Sequence, residues 1–315
     1  MNLTGMSLID PTSGDPVILA PAGAQRAGEW AERGMGTRGQ HQFFYWLMRL
    51  GGIARGYHMA NIVAGWYVLI SPSIRRRCGF YLRRRFPERT GSFQRLKDTY
   101  WLVRGYATTL VDIKVRAMFG AGKISVECPD RERLAALSSR PGGFVLIHGH
   151  VGCWQVGMTT LSHLNKNVGA VMIPDRHTMG MLGERMSVID PRTGLESSLR
   201  MTETILAGDI LVMMGDRTIG GEGGTVEVDF LGGRARFPVT PYRIASATGA
   251  PVVVMTAPRV GKRAYELRVA AVIEVPAKLG RAAESYRVYA QQFADCLAGF
   301  VEEFPWQFHN FFDLW

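Results

Sequence analysis

An alternation in the second half of the chain limits the fold more than any other feature. "GGFVLIHGH" (142–150) is a short apolar run that ends in polar residues, and "VGCWQVGMTTLSHL" follows it at helical spacing. "VGAVMI" reads as a second strand, "SSLRMTETILAGD" as a helix and "ILVMMGD" as a third strand. "APVVVMTAP" and "ELRVAAVIEVP" add two more strands. Buried strands separated by helical stretches predict an α/β fold, with a mixed, mostly parallel central sheet flanked by helices. In such sheets chemistry lies outside the carboxyl ends of the strands. His150 and Asp216 both fall there.

A histidine just past a buried strand can act as a general base, because its unperturbed pKa of about 6.5 suits neutral pH. It needs a partner on its other ring nitrogen to hold the tautomer and to stabilise the imidazolium that forms. Asp216 can be that partner, and His148 reads as a hydrogen-bonded structural residue. Arg217, Arg234 and Arg236 lie in and after the glycine-rich stretch that follows Asp216. They either meet phosphates or a carboxylate bidentately, or form ordinary salt bridges on a surface hairpin. The glycine spacing matches neither a phosphate loop nor a dinucleotide fingerprint. The aromatic ending "FPWQFHNFFDLW" reads first as core or interface, or else as the wall of an acyl channel or a membrane-facing edge.

With 315 residues, 47% hydrophobic and 20% charged, the chain can bury a sizeable core. A net charge of +10 favours an anionic partner: a nucleic acid, a membrane face, or an acidic or phosphorylated substrate. No nucleic-acid-binding motif is present, so that class ranks last. Cys78, Cys128, Cys153 and Cys296 are widely spaced, which argues against a zinc site or a disulfide framework and for a reducing compartment.

Residues 1–28 read as a poorly ordered lead-in without a secretory signal. Residues 29–119 read as a helical, membrane-associating region and 120–315 as the α/β core, with 29–315 one compact unit. The apolar stretch 56–74 approaches the roughly 20 residues of a membrane span. Gly56, His58, Asn61 and Ser71-Pro72 make it a core or interfacial helix instead. Arg75, Arg76, Arg77, Arg83, Arg84 and Arg85 flank Phe80 and Tyr81. They can hold the protein on an anionic leaflet at about 1 kcal/mol per residue, or form a solvated helix face.

Several of these elements, in this order, resemble the bacterial lysophospholipid acyltransferase superfamily, and most closely its lipid A late (lauroyl or myristoyl) acyltransferase branch. His150-Val151-Gly152-Cys153-Trp154-Gln155 is similar to that family's His-x-Gly-Asn-Trp-Glu. Asp216-Arg217, "VDFLGGRARFPVTP", Thr248-Gly249-Ala250, "PWQFHNFFDLW" and the early "EWAERGMGTRG" continue the likeness. The resemblance implies transfer of a fatty acyl group from acyl carrier protein or coenzyme A to a hydroxyl of an anionic membrane lipid or glycolipid, such as a lipid A precursor. It implies no metal and no cofactor beyond the acyl thioester. It places the protein at the cytoplasmic face of the bacterial inner membrane, as a peripheral protein or on a single N-terminal anchor. His150 would be the base, and Arg217, Arg176, Trp154, Arg234 and Arg236 would contact substrate.

Gln155 departs from the family's acidic residue. An amide can hold the tautomer of His150, but it cannot offset the ring's developing charge. Asp216 is the leading substitute, ahead of Glu184 and Asp175. Alternatively the protein is a catalytically impaired, membrane-bound accessory on the same scaffold, or it transfers an aminoacyl group to a lipid. Cys153 reads as a buried, inert thiol.

Overall fold

A computed structural model describes residues 38–174, 185–217 and 224–315. Of the unit that ends at Phe43, it describes only the start of helix α1 (Arg38–Gly51). From Phe44 to Trp315 the chain forms one compact unit.

Six strands make the central sheet: β2 (Phe144–His148), β3 (Val168–Val171), β4 (Met186–Ile189), β5 (Ile210–Met214), β8 (Val252–Thr256) and β11 (Arg268–Ile273). Their spatial order is β11-β8-β2-β5-β3-β4, parallel throughout except for the antiparallel edge strand β11. Every residue of β2 is buried, as expected for a strand covered on both faces. Val145, Ile147, Leu211, Met213, Val252 and Val254 point into one apolar layer. Phe144, Leu146, Ile210, Val212, Val253 and Met255 point into the other. The first layer is completed by α9 (Arg287–Glu303), which buries Ala290, Phe293, Ala294, Leu297, Phe300 and Val301. That helical spacing is present in the sequence, but the strand alternation above does not draw it out. The second layer is closed by α5 (Arg131–Ser138) and α6 (Trp154–Thr160).

The other elements are smaller. β1 (Ser125–Glu127), β9 (Arg259–Gly261) and β10 (Ala264–Glu266) form a three-stranded sheet. β6 (Thr225–Phe230) and β7 (Gly233–Pro238) form a hairpin whose two-residue turn, Leu231-Gly232, has positive φ at both positions. That backbone matches the twist of the two strands. Helices α7 (Leu195–Leu206) and α8 (Thr240–Thr248) pack on the first apolar layer.

Toward the N-terminus run α2 (Ile53–Ile70), α3 (Pro72–Arg85) and α4 (Ser92–Phe119). The apolar stretch 56–74 is not one helix: Ser71 ends α2 and caps α3, its hydroxyl accepting from the Ile74 N–H, with Pro72 at the first position of α3. Among the described residues no helix is long and apolar enough to cross a membrane. α2 buries Gly56, Ala60, Ala64 and Val68, a four-residue repeat of small side chains, and leaves Ile62, Trp66, Leu69 and Ile70 exposed.

The arginine triplets are used differently from the expectation of a free basic face. Arg75 donates to the carbonyls of Val68 and Leu69 at the end of α2. Arg85 donates to those of Val301 and Glu302 at the end of α9. Cations at helix carboxyl ends satisfy orphan carbonyls and oppose the dipole. Arg84 lies over the Trp315 ring and Arg83 over that of Phe80. At least half of the basic run therefore ties the fold together.

Candidate active site

The connection from β2 runs to β3, on the far side of β5, whereas the connection from β5 leads to β8, on the far side of β2. The chain leaves these two neighbours in opposite directions, and this opens a crevice at their carboxyl ends. Their register pairs His148 with Met214, and the Gly215 N–H donates to the His148 carbonyl at 2.8 Å. Two residues further on, in step, come His150 and Asp216.

Asp216 is fully buried and accepts twice from His150: from the backbone N–H at 2.7 Å and from ring Nδ1 at 2.8 Å. Burial acts to raise the carboxyl pKa. The charge and hydrogen bonds of His150 and the charge of Arg217 outweigh it and hold the group below the ordinary carboxylate range. An ionised carboxylate only accepts, so Nδ1 is the donor of this pair, and in the neutral ring the lone pair lies on Nε2. The His150 side chain is 21% exposed, so the basic atom belongs to the reachable member of the pair.

The loop beyond His150 admits little variation. Gly152 has φ +59, and a Cβ there would stand 2.2 Å from the Ala257 carbonyl oxygen. The C-terminal segment lies antiparallel to this loop. Phe308 bridges Val151, the His309 N–H donates to the His150 carbonyl at 2.7 Å, and the Gly152 N–H donates to the Gln307 carbonyl at 2.9 Å. The Gln307 side chain in turn brackets the Arg259 backbone, accepting from its N–H at 2.8 Å and donating to its carbonyl at 2.9 Å. The aromatic ending is thus core, with Phe308 against Tyr81, and it is also the second rail that holds His150.

Arg217 is pinned beside the pair. Its Nη2 donates to the His309 carbonyl at 3.2 Å and to Asn310 Oδ1 at 3.4 Å, and its guanidinium lies over Phe312. Among the described residues, four of the six buried side-chain polar atoms without a partner belong to this neighbourhood: His148 Nε2, Arg217 Nε, His309 Nδ1 and Asn310 Nδ2. Unpaired buried polar atoms are costly and gather where something else binds. His309 and Asn310 were not singled out in the sequence. Their only signal there is two polar residues inside an aromatic run.

Burial pushes the pKa of His148 down to about 4. Burial, helped by the charges of His150 and Arg217, takes that of His309 down to about 3. Both lie below the roughly 6.5 of an unfolded histidine, so over this range the unfolded chain binds protons that the folded chain does not. Stability should therefore fall as pH drops below about 6.5, by up to ~2 kcal/mol per histidine on reaching pH 5. Urea unfolding across that range checks this; a flat profile would mean that the folded protein takes up those protons.

The remaining predicted residues lie elsewhere. Gln155, in the first turn of α6, accepts from the Cys153 thiol at 3.7 Å, and the group on the His150 ring is Asp216, so the glutamine does not orient the base. Trp154 is half-buried against the second apolar layer. Arg234 and Arg236 project from the outward face of β7, across from Asp229 at 3.2 Å and Glu227 at 3.7 Å. The strand's alternation sends Ala235 and Phe237 inward and these arginines out, opposite carboxylates of the facing strand. Arg176, Asp175 and Glu184 lie outside the described residues. The Cys153 thiol is buried and its pKa pushed up to about 12, which leaves it a poor nucleophile. Among the described residues no three His, Cys, Asp or Glu side chains are placed to hold a metal ion.

A second charge cluster is centred on a buried carboxylate. Asp112 of α4 is fully buried and accepts from Arg259 Nε at 2.7 Å, from the Tyr265 hydroxyl at 2.5 Å and from the Tyr57 hydroxyl. It joins α2 and α4 to the strands that follow β8, and in the connection between β8 and β9 the Ala257 carbonyl accepts from the Cys153 N–H at 2.9 Å.

Fold and site together define a mixed α/β protein with a histidine–carboxylate pair at the topological switch point of its sheet. Residues 100–315 match the bacterial lipid A biosynthesis acyltransferase family, and the chain belongs to that family. It is an acyltransferase acting on lipids. Among solved structures, the 1-acyl-sn-glycerophosphate (LPA) acyltransferase of Thermotoga maritima is similar at 13% identity, over 79% of this chain and 98% of that one, with a TM-score of 0.37. No curated protein matches the sequence.

Proposed function

We propose that the protein moves a fatty acyl group from a thioester of acyl carrier protein or coenzyme A to a hydroxyl of a membrane lipid or glycolipid, such as a lipid A precursor. The observation that carries this reading is the His150–Asp216 pair, in which Nδ1 is committed and Nε2 is left basic. Nε2 takes the proton of the acceptor hydroxyl as its oxygen attacks the thioester carbonyl. The tetrahedral intermediate collapses to the ester, and the departing thiolate takes the proton back from the imidazolium. Asp216 offsets the positive charge on the ring between these two transfers. Arg217 supplies a fixed positive charge beside the pair, where the carbonyl oxygen becomes negative and where the phosphates of either carrier arrive. The accessory-protein alternative drew on Gln155, and a carboxylate already on Nδ1 removes its motive.

The same proposal places the protein at the cytoplasmic face of the inner membrane. Its support is the apolar outer face of α2, where Trp66 is 61% and Leu69 65% exposed, together with the exposed Arg76 and Arg83 on α3.

Mass spectrometry of total lipid and lipopolysaccharide from cells with wild-type protein or with His150→Ala tests the reaction. A difference of one fatty acyl mass is expected. An amino-acid difference would move the assignment to aminoacyl transfer, and no difference with both proteins folded would sink the enzyme reading. In the same cells, Trp66→Asp with Leu69→Asp should shift the protein from the membrane to the soluble fraction; unchanged sedimentation would refute the docking face.

A further inference from the structure

β2 and β5 stay paired for one step beyond His148 and Met214, where the Gly215 N–H donates to the His148 carbonyl at 2.8 Å. That step puts a glycine in each chain, Gly149 and Gly215, immediately before His150 and Asp216. Neither glycine has a positive φ, so the backbone conformation does not require them. What they lack is a side chain, in a place where one would have no room. Two residues earlier, Ile147 and Met213 point into the apolar layer that α9 completes, and strand alternation turns positions 149 and 215 to the same side. A Cβ on Gly215 would stand 2.7 Å from Cε1 and Cζ of Phe293, and one on Gly149 would stand 2.7 Å from Cδ2 of Leu297. Phe293 and Leu297 are fully buried and one turn apart on α9.

The two neighbours would not yield alike. Leu297 meets the added carbon with the end of a branched side chain, which can turn to another rotamer. Phe293 meets it with a ring, and that ring is held. It packs on Phe237 at 5.8 Å between centroids, Phe237 packs on Phe230 at 5.7 Å, and Phe230 packs on Phe308 at 6.1 Å. Phe308 is the residue that bridges Val151 in the loop after His150. Carbon atoms rest about 3.5–4.0 Å apart, so a methyl at position 215 displaces the main chain by about 1 Å. Asp216 moves with it. The pair has no slack for this, because Asp216 accepts from the His150 N–H at 2.7 Å and from its Nδ1 at 2.8 Å, and one displacement strains both bonds.

We infer that Gly215, with Gly149 beside it, is a positioning residue for the His150–Asp216 pair: its missing side chain lets the Phe293 ring close on the main chain, and that contact sets where the carboxylate meets the imidazole. Its consequence for turnover rests on this pair being the acyl-transfer site.

The purified full chain in detergent gives two readouts. The first is kcat per folded molecule for transfer from lauroyl-coenzyme A to a total membrane-lipid extract, measured well below the melting temperature of each variant. The second is the NMR resonance of the His150 Nδ1 proton, which the carboxylate draws far downfield and which His150→Ala identifies by its loss. Gly215→Ala should lower kcat by about 10²-fold, the scale of a 1 Å misplacement, and should move the resonance upfield. A leucine at 293 ends short of the Cε1 and Cζ positions and makes room for the methyl. In the Phe293→Leu background, Gly215→Ala should therefore leave kcat and the resonance where Phe293→Leu alone puts them. That comparison holds even if Gly215→Ala by itself does not fold. An unmoved resonance in Gly215→Ala, or the same loss of kcat from the methyl in both backgrounds, overturns the inference. If the wild type transfers no acyl group, the acyl-transfer reading falls, and the resonance alone decides whether Gly215 sets the contact.

Discussion

Asp216→Asn should lower kcat by about 10⁴, the scale seen when the acid of a histidine-based triad becomes an amide. Two effects combine. The asparagine can present its NH₂ to Nδ1, which moves the proton to Nε2 and removes the basic lone pair. It also leaves the imidazolium without a counter-charge in a site where Asp216 is wholly buried. Steady-state kinetics with an acyl thioester donor reads this directly, with a melting curve to confirm that the variant folds. Gln155→Glu is the informative companion. Because Gln155 faces Cys153 rather than the ring, its conversion to the family's carboxylate should leave kcat near the wild-type value and should not rescue Asp216→Asn. A near-normal rate for Asp216→Asn would move the counter-charge to another acid, with Glu184 and Asp175 next in line.

The second large effect concerns stability. Asp112→Ala removes the buried anion that binds the partly buried Arg259 and Tyr57 and the buried Tyr265, and leaves the guanidinium without its counter-charge. Breaking a buried pair from one side costs about 3–5 kcal/mol. In a unit of this size that corresponds to a fall in Tm of roughly 10 °C. Arg259→Met in the Asp112→Ala background should recover part of the loss, because it removes the stranded charge. Strict additivity of the two changes would mean that the pair is not coupled.

The features that could be read locally were those set by period and composition. The strand ends at His148 and Met214 follow from short apolar runs bounded by polar residues, and the helices near the N-terminus follow from their spacing. The break at Ser71-Pro72 follows from cap chemistry. The role of Gln155 was less legible, because a likeness of motif places an acid in the chain without saying which nitrogen of which ring it reaches. The arginine triplets were ambiguous for a related reason. Charge runs look alike on paper whether they face water or, like Arg75 and Arg85, close the carboxyl ends of helices that lie elsewhere in sequence.

Local pattern was enough to establish an α/β chain that presents His150 and Asp216 at the ends of buried strands, because side-chain alternation and helical spacing are properties of a few neighbouring residues. That the two meet was decided by pairing across the sheet. β5 could have docked at several places; seated against β2, with His148 opposite Met214, it puts the residues two steps beyond each strand side by side. The same long-range pairing brings Gln307–His309 alongside Val151 and turns an aromatic tail into a wall of the site. Strand order and register depend on which buried surfaces fit together, and that information is spread over the whole chain.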